Sequence, residues 1–186
     1  MRVDDHEILS SEPVYEGKVV KLYRDRVRLP DGREATWERI VHQGAVGIVP
    51  LLENGNVLLV RQYRNALDDV ILEIPAGKLE PGEAPDDCAD RELVEEVNMR
   101  AGELIKLSEF YNSPGYSNEY FHLYLASDLS PEQGETEEDE FLEIEEISLS
   151  DALGMVTDGY IVDAKSVMGL ALTRLYLDGV IPAFRC

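Results

Sequence analysis

Residues Gly77 to Met99 read GKLEPGEAPDDCADRELVEEVNM. The stretch holds a tight turn and then a helix expected from about Pro85 to Val97, with Asp86 and Asp87 in a first turn whose dipole favours negative charge. Leu93, Val94 and Val97 give that helix an apolar flank, and Arg100-Ala101-Gly102 is expected to end it. At 3.6 residues per turn, Glu92, Glu95 and Glu96 stand at i, i+3 and i+4 on one face. Like charges so placed repel one another. Sharing Mg²⁺ or Mn²⁺ relieves the repulsion, and these ions prefer carboxylate oxygens and keep water that can be delivered to a phosphate. The stretch therefore reads as a metal–phosphate site.

Upstream, Val70 to Pro75 is a short strand with Ala76-Gly77 as its exit. Before it, the apolar run from Ala45 to Leu52 and the run Val57 to Arg64 flank Asn54-Gly55, a strong hairpin signal, and both predict central strands buried on two faces. Arg61 and Arg64 emerge where the second run turns polar; they are either solvated strand-end arginines or grips for a phosphate or carboxylate. Residues 12–42 predict a small β unit around the turn Pro30-Asp31-Gly32. Its apolar alternation changes phase between Leu22 and Val27, which predicts a bulge or bend near Arg24 to Arg26. A sheet that small needs the rest of the chain or a second subunit to pack on.

Downstream, Leu104 to Phe110 and Glu119 to Ala126 predict strands. The loop between them contains Tyr111 and Tyr116, which either stack on a base or cover the core edge. Residues 130–140 form an acidic loop, Phe141 to Ser148 an edge strand, and two helices follow. Ser150 is the expected cap of the first and Asp163 of the second, whose stripe Val167, Leu170, Ala171 and Leu175 should face the core.

The chain of 186 residues suits one well-packed domain, or a domain with a small appendage. With 17 Lys plus Arg against 38 Asp plus Glu, its net charge of −21 argues against nucleic-acid binding but not against a small phosphorylated ligand. Cys88 and Cys186 have no CxxC partner, so a reduced cytoplasmic compartment is expected, and no apolar run is long enough for a membrane span. His6, His42 and His122 are too scattered for zinc.

Gly77, five residues, Glu83, seven residues and then Arg91-Glu92-Leu93-x-Glu95-Glu96 resemble the Nudix box. One position departs: Asn98 stands where the pattern has Gly, and Asn is the next best residue for a left-handed backbone. Glu73-Ile74-Pro75-Ala76-Gly77-Lys78, Ser113-Pro114-Gly115 and the β-rich segment before Gly44 are similar to the ADP-ribose pyrophosphatase branch of that family. The resemblance implies an α/β (α+β) fold, a Nudix-type α/β/α sandwich with a mixed central sheet in residues 44–186, preceded by a small antiparallel β unit in residues 1–43 that serves a homodimer and substrate contact. It implies Mg²⁺, or Mn²⁺, on Glu92, Glu95, Glu96 and the Ala76 carbonyl. Glu95 and Arg91 are implied catalytic groups, Glu138 or Glu140 from the acidic loop an assisting carboxylate, and Glu83 a support of the loop. Arg64, Arg61, Ser113, Pro114 and Gly115 are implied substrate contacts. The implied reaction is hydrolysis of a nucleoside diphosphate derivative, with ADP-ribose giving AMP and ribose 5-phosphate. An NDP-sugar, NADH or a dinucleoside polyphosphate is the alternative substrate, and a ligand sensor without turnover is the alternative class.

Overall fold

The computed structural model describes residues 4–134 and 141–184. The chain divides into two compact units, Met1–Gly44 with Tyr111–Tyr120, and Ala45–Phe110 with Phe121–Cys186.

The first unit is an antiparallel sheet of β1 (Glu7–Glu16), β2 (Lys21–Arg28) and β3 (Glu34–Val41). The turn before β3 forms around Gly32 at φ 85°, with the Asp31 carboxylate accepting the Arg33 N–H. Strand β1 goes beyond the expected start, because a run of exposed polar residues around Pro13 carries no alternation. The bulge expected near Arg24 to Arg26 is not in β2, which pairs with β3 without a break; the irregularities lie in β1, at Ile8/Ser10, opposite Val27 and Arg26, and at Pro13/Tyr15. The apparent change of phase is a buried carboxylate. Asp25 takes an inward position beside Val27, and Ser11 Oγ at 2.6 Å and Arg39 Nε at 2.7 Å satisfy it. Ile40 N–H donates to the Tyr116 carbonyl at 2.7 Å, tying the 111–120 segment to β3.

The second unit holds β4 (Ala45–Pro50), β5 (Asn56–Arg64), β6 (Asp69–Glu73), β7 (Ala76–Lys78), α1 (Pro85–Val97), β8 (Met99–Arg100), β9 (Glu103–Tyr111, its last residue in the first unit) and β10 (Tyr120–Ser127, its first residue in the first unit). Then come β11 (Ser130–Pro131), β12 (Leu142–Ser148), α2 (Leu149–Thr157) and α3 (Ala164–Leu177). A mixed sheet runs β7-β4-β10-β9, with β4 and β10 parallel, and an antiparallel sheet runs β12-β5-β6. The Asn54-Gly55 turn forms, yet β4 and β5 share a single bridge, Leu51 to Val57, and then part. Each has partners on both edges, so neither keeps the other beyond the turn.

Alternation along β4 and β10 feeds two cores. Ala45, Val49, Phe121, Leu123 and Leu125 pack with Ala152 of α2 and Leu170 of α3, while Val46, Ile48 and Tyr124 pack with Ala89, Leu93 and Val97 of α1. This is the α/β/α sandwich. Two helix details correct the sequence reading. Helix α2 starts two residues early, because Ser148 rather than Ser150 accepts the Asp151 N–H, at 3.0 Å. Of the expected α3 stripe, Leu170 is buried and Val167 packs against the core, but Leu175 is exposed, and Ser166, Gly169 and Thr173 complete the buried face; Gly169 lies so close that a methyl there would sit 3.0 Å from Val49 Cγ2.

Helix α1 ends at Asn98, φ 55° and ψ 38°, not at Arg100-Ala101-Gly102, because β8 begins at Met99. The Asn98 Oδ1 also accepts the Gly134 N–H at 3.2 Å. Asn98→Ala is expected to cost about 1–2 kcal/mol, since alanine gains nothing from the left-handed region, whereas Asn98→Gly stays within about 1 kcal/mol. Urea denaturation of both variants checks the difference.

Candidate active site

The site is assembled where β7 meets α1. Strand β7 pairs antiparallel with β4, Gly47 opposite Ala76 and Ala45 opposite Lys78, and this sets its backbone beside the glutamate face of the helix. Gly77 is there for space: a Cβ on it would overlap the Glu92 carboxylate. The Ala76 N–H donates to Glu96 Oε2 at 3.1 Å. Glu92 is 8% exposed and Glu96 4%, whereas Glu95 is only half-buried.

Arg91 holds the acidic groups together. Its Nη1 donates to Glu92 Oε1 at 2.7 Å and Glu95 Oε2 at 2.9 Å, its Nε to Glu83 Oε1 at 2.8 Å and its Nη2 to Glu83 Oε2 at 3.0 Å. Nη2 also reaches the Lys78 carbonyl at 3.2 Å, and Glu83 accepts the Glu80 N–H at 2.8 Å, so the turn after β7 is tied to the helix through one guanidinium. The Arg91 hydrogen bonds hold the Glu83 carboxyl at about 2, below the usual range. The pair therefore stabilises the fold fully above pH about 4.5, and its contribution is lost as pH falls toward about 2. Glu83→Gln is expected to flatten the acid limb of a stability–pH curve in that window, as measured by urea midpoints at successive pH values.

Among the described residues, no three His, Cys, Asp or Glu side chains form a ready-made cation cage. The donor set nevertheless suits a hard divalent cation: the buried Glu92 carboxylate lies on Gly77, whose bare backbone leaves no room for a methyl, the buried Glu96 carboxylate lies on the Ala76 N–H, and oxygen is the preferred ligand of Mg²⁺ and Mn²⁺.

The remaining expected residues separate. Arg64 Nε donates to Glu73 Oε1 at 2.6 Å. Arg61 lies three positions away on β5 and so projects from the opposite face, where Glu145 at 3.3 Å and Glu143 at 3.9 Å engage it. Ser113, Pro114 and Gly115 belong to a turn of the first unit in which the Ser113 carbonyl accepts the Tyr116 and Ser117 N–H groups. Tyr111 and Tyr116 are exposed rather than spread over a core edge. Glu138 and Glu140 lie outside the described residues. Sequence reading named Glu73 only within the Glu73–Lys78 motif, without a role, and passed over Lys165. A glutamate between Leu72 and Ile74 in an apolar strand was the available signal.

Residues 41–168 match the NUDIX domain, and residues 7–40 match the nucleoside diphosphate sugar hydrolase N-terminal domain. An ADP-ribose pyrophosphatase of Bacillus subtilis is 40% identical over 177 residues, covering 94% of this chain and 96% of the relative. A GDP-mannose pyrophosphatase of Cronobacter sakazakii is 36% identical over 162 residues, covering 81% and 83%. The solved structure of an ADP compounds hydrolase superposes with a TM-score of 0.88 at 27% identity, covering 97% of this chain and 98% of that one. The chain belongs to the Nudix hydrolase family and is a pyrophosphohydrolase. Relatives of this kind are named for small nucleoside diphosphate substrates, and none of the described helices is long and apolar enough to cross a membrane.

Proposed function

We propose that this chain hydrolyses ADP-ribose to AMP and ribose 5-phosphate with Mg²⁺, Mn²⁺ being a substitute. The observation that carries the reading is the 40% identity to an ADP-ribose pyrophosphatase over nearly the whole length of both chains, with Glu92, Glu95 and Glu96 all in place. Glu92, Glu96, Glu95 and the Ala76 carbonyl would hold the cation. Bound there, it supplies charge neutralisation for the diphosphate and activation of water. Arg91 keeps the Glu92 and Glu95 carboxylates aligned, and Arg64 binds a diphosphate oxygen. Glu95 orients the attacking water, and Glu138 or Glu140 accepts its proton.

Residues 1–43 are a separate functional segment in this reading, residues 44–186 being the hydrolase domain. Ile8 (63% exposed), Val19 (57%) and Trp37 (48%) leave apolar surface on the first unit, which supports a homodimer built on it. Ser113, Pro114 and Gly115 contribute to substrate contact, and the compartment is cytoplasmic.

The second reading is an NDP-sugar substrate, favoured by the GDP-mannose pyrophosphatase relative. Product analysis with ADP-ribose, GDP-mannose and NADH, with Mg²⁺ and with chelator, separates the two. ADP-ribose is expected to exceed the others in kcat/KM by about tenfold or more, with no turnover in chelator. Preference for GDP-mannose would replace the first reading by the second, and turnover of none of the three would remove both.

A further inference from the structure

Strand β6 ends in a carboxylate that the reaction scheme leaves unused. Glu73 is 1% exposed between the core residues Leu72 and Ile74, and a carboxylate so buried needs cations against it. Arg64 Nε donates to its Oε1 at 2.6 Å, and Lys165 Nζ donates to its Oε2. The register explains how Arg64 arrives. Glu73 lies opposite Val60 and Arg64 opposite Asp69, so both side chains rise from one face of the β5–β6 pair, and Arg64 runs back along the strand to reach Glu73.

Lys165 is delivered by the first turn of α3, which is fixed to the same segment. Asp163 caps the helix by accepting the Ser166 N–H at 3.0 Å, and the buried Ser166 Oγ accepts the Ile74 N–H at 2.8 Å. Asp163 Oδ2 also takes Lys165 Nζ at 2.9 Å. The four charges of Arg64, Glu73, Lys165 and Asp163 therefore balance, and Lys165 is enclosed by its two carboxylates. Arg64 is the open member. Its side chain is 37% exposed against 13% for Lys165, and Nε alone has a hydrogen-bond partner among the described residues. Burial works against its charge, and the carboxylates of Glu73, Glu96 and Asp163 more than offset that.

We propose that Glu73, braced by Lys165, is the positioning residue that aims the Arg64 guanidinium at the substrate's diphosphate. A carboxylate on the Nε edge fixes the plane of the fork and leaves the two terminal nitrogens for phosphate oxygens, so little ordering remains to be done on binding. The proposal rests on the diphosphate reading given under Proposed function.

Steady-state kinetics of the full chain with ADP-ribose and Mg²⁺, joined to calorimetry of inorganic pyrophosphate with Mg²⁺, tests it. Glu73→Gln and Lys165→Met are each expected to raise KM about tenfold and weaken pyrophosphate binding by a similar factor, with kcat held within about threefold. Lys165→Arg restores both. In an Arg64→Ala background, Glu73→Gln adds less than about twofold, because nothing is left to aim. Equal effects of Glu73→Gln with and without Arg64 overturn the proposal, and so does an unchanged KM in Lys165→Met. Should Glu73→Gln not fold, Lys165→Met and Lys165→Arg, each with and without Arg64→Ala, carry the same comparison. Wild type inactive on ADP-ribose would remove the functional reading, and pyrophosphate calorimetry would still decide the part played by Glu73.

Discussion

Glu96→Gln is expected to lower kcat for ADP-ribose hydrolysis about a thousandfold, equivalent to roughly 4 kcal/mol of lost transition-state stabilisation. The substitution keeps the side chain's shape and, through its amide oxygen, can keep the Ala76 N–H bond made at 3.1 Å. What it removes is a negative charge at a position 4% exposed, and it turns an amide N–H toward the place where an oxygen ligand is required. Removing a carboxylate from a face that carries three of them also relieves repulsion. The apo protein should therefore lose no more than about 1 kcal/mol, and calorimetry should show Mg²⁺ affinity falling while the urea midpoint holds. Near-normal turnover would remove Glu96 from the site.

The second large effect concerns a residue with no side chain. Gly77→Ala is expected to reduce kcat/KM about a hundredfold and to cost about 1–3 kcal/mol of stability. The new methyl would occupy the position of the Glu92 carboxylate, which cannot move freely because Arg91 Nη1 holds it at 2.7 Å. Gly82 is the control. It has φ 84° and open space around it, so Gly82→Ala should cost about 1 kcal/mol through backbone strain alone and leave turnover unchanged. Kinetics and urea denaturation of the two variants side by side separate crowding from conformation.

The core of this site was legible because its chemistry is local. Gly77, Arg91, Glu92, Glu95 and Glu96 sit on one short strand and the helix that follows it, so spacing alone places them together. Helix α1 was legible for the same reason, through its acidic first turn and its apolar flank. Long-range partnerships were not. Glu73 and Lys165 are 92 positions apart, and nothing in either segment announces the other. The opposed directions of Arg61 and Arg64 follow from strand alternation, yet which face meets the glutamates depends on how β5 pairs. Strand β1 escaped because its residues are exposed and carry no period, and Asp25 imitated a bulge because a neutralised carboxylate sat in an inward position. Helix α3 packs through serine, glycine and threonine beside Leu170, so a stripe drawn from bulk alone finds Val167 and Leu170 but misses the small residues and adds the exposed Leu175.

The left-handed residue after α1 has a consequence for how such sites evolve. What that position must satisfy is a pair of dihedral angles, φ 55° and ψ 38°, and asparagine meets them while bringing an amide that glycine lacks. Its Oδ1 holds Gly134 at 3.2 Å, and its carbonyl accepts the Glu132 N–H at 3.0 Å, so the chain leaving β11 is fastened to the end of α1. A lineage that exchanges glycine for asparagine here can keep the angle and gain a fastening. Later changes in the acidic loop would then be inherited against that anchor, and reverting to glycine would loosen a second segment of the chain.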